Sequence, residues 1–315
     1  MQENEREKEF KIKVKEIFSS LLTELNILNL ANSLKRKDID KFFETYDCIR
    51  IPMNIAVDFI STEKELYGRG AFLYVYLYQT RNVAMRSLLE ALFGYYSCAY
   101  TLLRQAFESI ISGAYFECLA HKKFRECKEI PEITRKGNST LKGEIKERIL
   151  KNPEIEKKLE RDSIYIFDIL DSVNERKNFK GKRKHLLLPP EMVDYLDKWE
   201  MFEPIPNPRE KWQKIYDRLS KEAHNYPSYT EVGRRIARFP QKDFLEVNVV
   251  PQELNEFFAW VKKVMDIGIV IELNILADYI KKKSRIKSKL SDWLSFTEKN
   301  LNLEFTPKKI KDLMK

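Results

Sequence analysis

Glycine is scarce in this chain, with 9 residues in 315 and only 12 prolines beside them. That is too few for the tight turns of an all-β sandwich or for a succession of Gly-rich βα loops. Histidine is scarcer still, with 3 residues, His121, His185 and His224. No H-x-x-x-H or paired-cysteine spacing occurs, and no E-x-x-H accompanies the abundant carboxylates, so neither a metal nor another cofactor is expected, although an all-carboxylate site on helices stays open. The four cysteines, Cys48, Cys98, Cys118 and Cys127, form no C-x-x-C and suit a reducing compartment. G-x-x-x-x-G-K-[ST], G-x-G-x-x-G and G-x-S-x-G are all missing, which removes the P-loop, the dinucleotide cradle and the nucleophile elbow. Long hydrophobic runs are lacking too. The most apolar stretch, Ala71 to Leu119, is interrupted by Arg81, Arg86, Glu90, Arg104, Glu108 and Glu117. Its longest uncharged run, Ala91 to Leu103, falls short of the roughly 20 residues that span a bilayer. The N-terminus, MQENEREKEFKIK, has no apolar secretory core, so cytoplasmic residence without a membrane partner is expected.

What is present points to helices. A hydrophobic fraction of 43%, with 12% aromatics and 33% charge, supports a sizeable core under a polar surface. The expected fold is all-α, a multi-helix bundle with long core helices and little or no β. Three parts are expected: an amphipathic helical segment over residues 1–50, a helical core over 51–290 carrying a charged insertion at 121–184, and a basic C-terminal tail over 291–315. Abundant Lys and Glu also suit a thermophile.

The net charge of +9 is unevenly distributed. Residues 121–184 hold 19 bases against 12 acids, and residues 279–315 hold 11 against 4. Basic blocks on a near-neutral body suit phosphate backbones or acidic partners, but Lys- and Glu-rich helices are equally often plain solvated faces. The cluster Lys281, Lys282, Lys283 and Arg285 is a candidate nucleic-acid contact. It also has a structural role open to it, because cations are favoured at a helix C-terminus.

Helical periodicity organises the rest. Phe10, Val14, Ile17, Phe18, Leu21, Leu22 and Leu25 mark an amphipathic helix over about 5–30. A mixed segment leads to Ile49–Pro52. Met85, Leu88, Leu89, Leu92, Tyr96, Ala99, Leu103, Ala106, Phe107 and Ile110 recur at three and four, opposite a stripe of Arg86, Glu90, Gly94, Ser97, Thr101, Arg104 and Glu108. That stripe reads either as an exposed or closely crossed face with i, i+4 ion pairs or as a polar seam, Arg104 and Glu108 included, lining a site. A short helix is expected to reach Trp199. Asn207 as N-cap, Pro208 at the first helical position and Glu210 at the third then form a capping box for a helix that buries Trp212, Ile215, Tyr216 and Leu219 and ends near Ala223. Phe244–Val250 reads as an isolated strand or extended loop. Pro251-Gln252-Glu253 opens the last long helix, with Leu254, Phe257, Phe258, Val261, Val264, Met265, Ile271, Ile275 and Leu276 facing the core and the lysine cluster at its end.

One constellation has catalytic character: Arg218, His224 and Tyr226, spaced R-x5-H-x-Y at the end of the capped helix. It resembles the R-x4-6-H signature of the HEPN superfamily, all-α proteins that include metal-independent ribonucleases of toxin–antitoxin, antiviral abortive-infection and CRISPR-linked systems. The His-x-Tyr continuation is similar to HEPN toxins paired with a minimal nucleotidyltransferase antitoxin. The motif spans nine residues and departs from the family's usual polar residue after the arginine at Leu219.

The resemblance implies RNA as substrate, a homodimer and a nucleotidyltransferase-type antitoxin as partner. It also implies roles: Arg218 on the scissile phosphate, His224 moving the 2′-hydroxyl proton, and Tyr226 orienting or being modified. The chemistry suits these side chains, since imidazole titrates near neutrality and guanidinium stabilises phosphorane charge. Six residues of helix leave Arg218 and His224 about 120° apart with a rise of about 9 Å, so a shared site needs a two-fold partner or an unwound last turn. The alternative is structural: His224 and Lys221 capping the helix C-terminus, and Arg218 paired with a carboxylate such as Glu222.

Overall fold

The computed structural model describes residue 12 and residues 36–59, 71–120, 189–223, 251–282 and 284–315. These form nine helices, with no strand among the described residues: α1 (Arg36–Phe59), α2 (Ala71–Leu92), α3 (Tyr96–Ala120), α4 (Pro189–Lys198), α5 (Pro208–Ala223), α6 (Pro251–Ile275), α7 (Ala277–Lys282), α8 (Ser284–Lys299) and α9 (Thr306–Met314). The protein is therefore the all-α multi-helix bundle expected. No helix among the described residues is long and apolar enough to cross a membrane. The segment 5–30 (residue 12 apart), the insertion 121–184 and Phe244–Val250 lie outside the described residues. α1 runs across residue 50 and α8 across residue 290, so neither expected domain boundary falls between elements.

Two apolar helices, α3 and α6, form the centre. α3 buries Leu103, Ala106, Phe107, Ile110, Ile111, Ala114 and Tyr115, and α6 buries Leu254, Phe257, Phe258, Val261, Val264, Met265 and Ile271. They run parallel, because Tyr100 meets Phe257 edge-on at 5.3 Å while Ile110, further along, lies over Gly268. α2 packs antiparallel to α3, α1 covers α6, and α4 and α5 lie on α3.

The polar stripe across 86–108 is not one face. Gly94 takes φ 81° between α2 and α3, a left-handed turn that costs glycine little and folds the second half of the stripe back on the first. Leu89, expected in the core, is 53% exposed as a result. At the other end of this hairpin the helices approach closely: a Cβ on Gly113 would lie 2.4 Å from the Tyr76 Cβ, whereas one on Gly268 would crowd the Ile110 Cδ1 at 2.9 Å and meet the rest of that side chain at 3.5 Å and beyond. Gly113→Ala is therefore expected to cost about 1–3 kcal/mol by overpacking, in spite of the helix-propensity gain of about 1 kcal/mol. Gly268→Ala is expected to be nearly neutral, because a methyl end can rotate away. Urea midpoints of the two variants check this contrast.

The expected long last helix ends instead at Ile275. α7 begins at Ala277, with the Ile280 amide donating to the Leu276 carbonyl at 2.9 Å. The basic C-terminal tail is folded as α8 and α9, whose Leu290, Leu301, Leu303, Phe305, Ile310 and Leu313 are buried. Phe305, at the N-cap of α9, makes no side-chain cap. Asp266 of α6 supplies it from outside the helix. One carboxylate oxygen accepts from the Glu304 and Phe305 amides at 2.9 and 3.0 Å, and the other accepts from the Thr306 amide at 2.9 Å and the Thr306 hydroxyl at 2.6 Å. A buried carboxylate at a helix N-terminus satisfies orphan amides and the dipole together.

Candidate nucleic-acid interface

α5 starts where its sequence signals, at Pro208, and is described to Ala223. Asn207 sits in the left-handed region at φ 49°, and its carbonyl accepts the Lys211 amide at 3.1 Å. Trp212, Ile215 and Leu219 are buried and Tyr216 is half-buried. The helix is antiparallel to α3: Trp212 lies against Phe107, Tyr216 against Arg104, and Arg218 against Tyr100.

Two reciprocal arginine–tyrosine contacts join these helices. Arg104 of α3 has its guanidinium 4.8 Å from the Tyr216 ring centroid, and Arg218 of α5 has its own 4.7 Å from that of Tyr100. Arg104 also donates through Nε to Glu108 Oε1 at 2.9 Å and through Nη2 to the Tyr216 hydroxyl at 2.7 Å. Partial burial and then the Glu108 carboxylate push the Tyr216 phenol up, while Arg104 opposes them. The expected seam pair thus exists as an i, i+4 ion pair and gains a third member, Tyr216, from 112 residues away.

Arg218 is 21% exposed and donates to Glu256 Oε1 of α6 at 2.9 Å. This carboxylate lies on another helix, and the interaction fixes the guanidinium at the rim of an open groove of about 1090 Å³. Its walls come from α5 (Arg209, Lys214, Arg218 and Lys221), and Trp260 of α6 closes it. A second cavity of about 390 Å³ continues past Trp260 and Lys214 to Lys211, Lys263 and the loop ending at Phe305. Lys211, Lys214, Arg218 and Lys221 are spaced three, four and three apart, which puts them within one narrow arc of α5. Lys214 and Lys221 are exposed. Lys211 approaches Glu304 at 3.7 Å and lies over the Phe305 ring at 4.0 Å. Carboxylates intersperse this edge, with Glu210 and Asp217 on α5 and Asp197 on α4.

Of the expected site residues, the structure brings Arg218 to the groove and places Arg104 and Glu108 behind it on α3. His224 and Tyr226 lie outside the described residues, as does Lys283. Lys281 is exposed at the end of α7, near Lys309 of α9, and does not line the groove; Lys282 and Arg285 belong to α7 and α8. Sequence reasoning missed the basic edge of α5 and Trp260. Both left signals: the 3-4-3 spacing of the bases, and a tryptophan at the edge of the apolar stripe of its helix. Among the described residues no group of three or more His, Cys, Asp or Glu converges as a metal site. The chain matches no family model, no curated protein and no solved structure.

Proposed function

We propose that this protein is a HEPN-like metal-independent endoribonuclease of a defence or toxin–antitoxin system, acting in the cytoplasm and holding RNA in the α5–α6 groove. The observation that supports this reading is the position of Arg218: the first residue of the R-x5-H-x-Y motif lines an open groove of about 1090 Å³ together with Arg209, Lys214 and Lys221. Arg218 binds the scissile phosphate, and His224 takes the 2′-hydroxyl proton as that oxygen attacks phosphorus; the P–O5′ bond breaks to leave a 2′,3′-cyclic phosphate, the departing 5′-oxygen takes a proton from water, and Tyr226 orients the histidine. A homodimer is the assembly that would let Arg218 and His224 share one site. An antitoxin of nucleotidyltransferase type is the partner this reading requires.

A non-enzymatic nucleic-acid-binding or scaffold protein is the second reading. The Arg218–Glu256 ion pair and the Tyr100 contact favour it, since they give the arginine a structural occupation. Cleavage of mixed structured and single-stranded RNA in EDTA separates the two. The wild type is expected to cleave, and Arg218→Ala/His224→Ala to lose at least about 100-fold, the usual minimum for removing a general acid–base group. Cleavage that survives His224→Ala would sink the mechanism, and a folded, inactive wild type would leave the binding reading.

A further inference from the structure

We propose that Trp260 is a nucleobase-stacking platform that holds one unpaired nucleotide of bound RNA in register with Arg218. The phosphate role of Arg218 rests on the ribonuclease reading; the stacking role of Trp260 stands on its own geometry. Trp260 is half-buried: it packs against the core at the edge of the stripe of Phe257, Phe258, Val261, Val264 and Met265 and is partly open on its other side. Trp260 and Lys214 are the two residues that line both cavities, so a ligand running along the groove must pass them.

The ring is tied to the motif arginine through a single atom. Glu256 Oε1 accepts from Arg218 Nη2 at 2.9 Å and from Trp260 Nε1 at 3.4 Å. A phosphate at the guanidinium and a base on the indole would thus be set at a fixed separation by one carboxylate. The exposed Lys263 holds its ammonium 4.1 Å from the indole centroid, a cation–π position that a long side chain can yield to a base while it turns to a phosphate.

The position of Lys214 between the cavities supplies a cation beside the platform, and Lys221 stands two turns further on, about 10 Å along the helix axis. Alternation of an aromatic face with cations is how sequence-tolerant single-strand sites are built, because every base has a π face and every linkage a charge. A base inside a duplex already has both faces stacked, so the occupant is single-stranded RNA.

The test is binding of a short unstructured labelled RNA, followed by fluorescence anisotropy in EDTA. Inorganic polyphosphate serves as a competitor with charge and no bases, and the same RNA annealed to its complement is the third probe. Trp260→Leu keeps apolar cover without a π face, and Trp260→Phe keeps the face; thermal melts confirm that both fold. Trp260→Leu is expected to weaken single-strand binding about fivefold or more, with polyphosphate competition and duplex binding unchanged, and Trp260→Phe to restore most of the affinity. Lys214→Glu is expected to weaken RNA and polyphosphate alike and to flatten the salt dependence, which Trp260→Leu leaves intact. Equal single-strand affinity in Trp260→Leu and wild type, equal loss toward polyphosphate, or no RNA binding by the wild type would each overturn the proposal. Loss of cleavage on mutating the motif does not enter this readout, so the platform and the nuclease can fail separately.

Discussion

Replacing Asp266 with alanine is expected to destabilise the protein by about 3–5 kcal/mol and to release its last helix. Four hydrogen bonds converge on this carboxylate, three from backbone amides at the start of α9 and one from the Thr306 hydroxyl. Bonds to a charged group are worth about 1.5–3 kcal/mol each, and less than additively where they share an acceptor. Pro307 has no amide to offer, and Phe305 cannot cap with its own side chain, so nothing local replaces the lost acceptor. Asp266→Asn keeps an acceptor for one side of the cap and turns an amide donor on the other, and is expected to fall between alanine and wild type. Urea denaturation gives the magnitude. Hydrogen exchange gives the location: protection should be lost first across 304–314 while α3 keeps its own. An unchanged midpoint in Asp266→Ala would show that α9 is held by Ile310 and Leu313 alone.

The second large effect concerns pH. Glu272 is fully buried on α6, and neither carboxylate oxygen has a hydrogen-bond partner among the described residues. Burial alone pushes its carboxyl well above the ordinary value of 4.5. The folded chain therefore keeps a proton that the unfolded chain gives up, and between the two values the native state binds more protons. Stability is fully present below the unfolded value and is lost as pH rises toward the folded one, by up to about 1.4 kcal/mol per pH unit from this group. Glu272→Gln removes that titration, and Glu272→Met also removes the desolvated polar group. The stability advantage of either variant over wild type is expected to widen from pH 5 to pH 8. Parallel pH profiles for mutant and wild type would show that a partner compensates the charge.

The two predictions differ in how far the sequence announces them. The start of α5 is legible because proline and asparagine act locally: the residues that specify that terminus are the residues at it. The buried faces follow from period, except at Leu89, where the turn at Gly94 intervenes. Asp266 and Glu272 show only as acids within an apolar stretch, and nothing in the sequence tells the one that caps a distant helix from the one that meets no partner among the described residues. The same limit applies to the interface. Arg104 and Glu108 are readable as a pair from their spacing, but Tyr216 joins them through tertiary packing. The structural alternative for Arg218 is a carboxylate near in sequence, such as Glu222, whereas the bond to Glu256 reaches 38 residues on. The break at Ile275 was hidden because Leu276 and Ile280 continue the apolar rhythm and neither glycine nor proline marks the change.

The crossed arginine–tyrosine contacts between α3 and α5 act as two pegs driven from opposite sides. Each helix supplies one peg and one hole, so sliding α5 along α3 by a turn would unseat both at once, and no intermediate register keeps either. A ligand that draws Arg218 away from Glu256 loosens one peg while Arg104, behind the groove, retains the other. The wall can then yield at its rim without losing alignment along its length, as a ratchet pawl lifts while the rack stays in step.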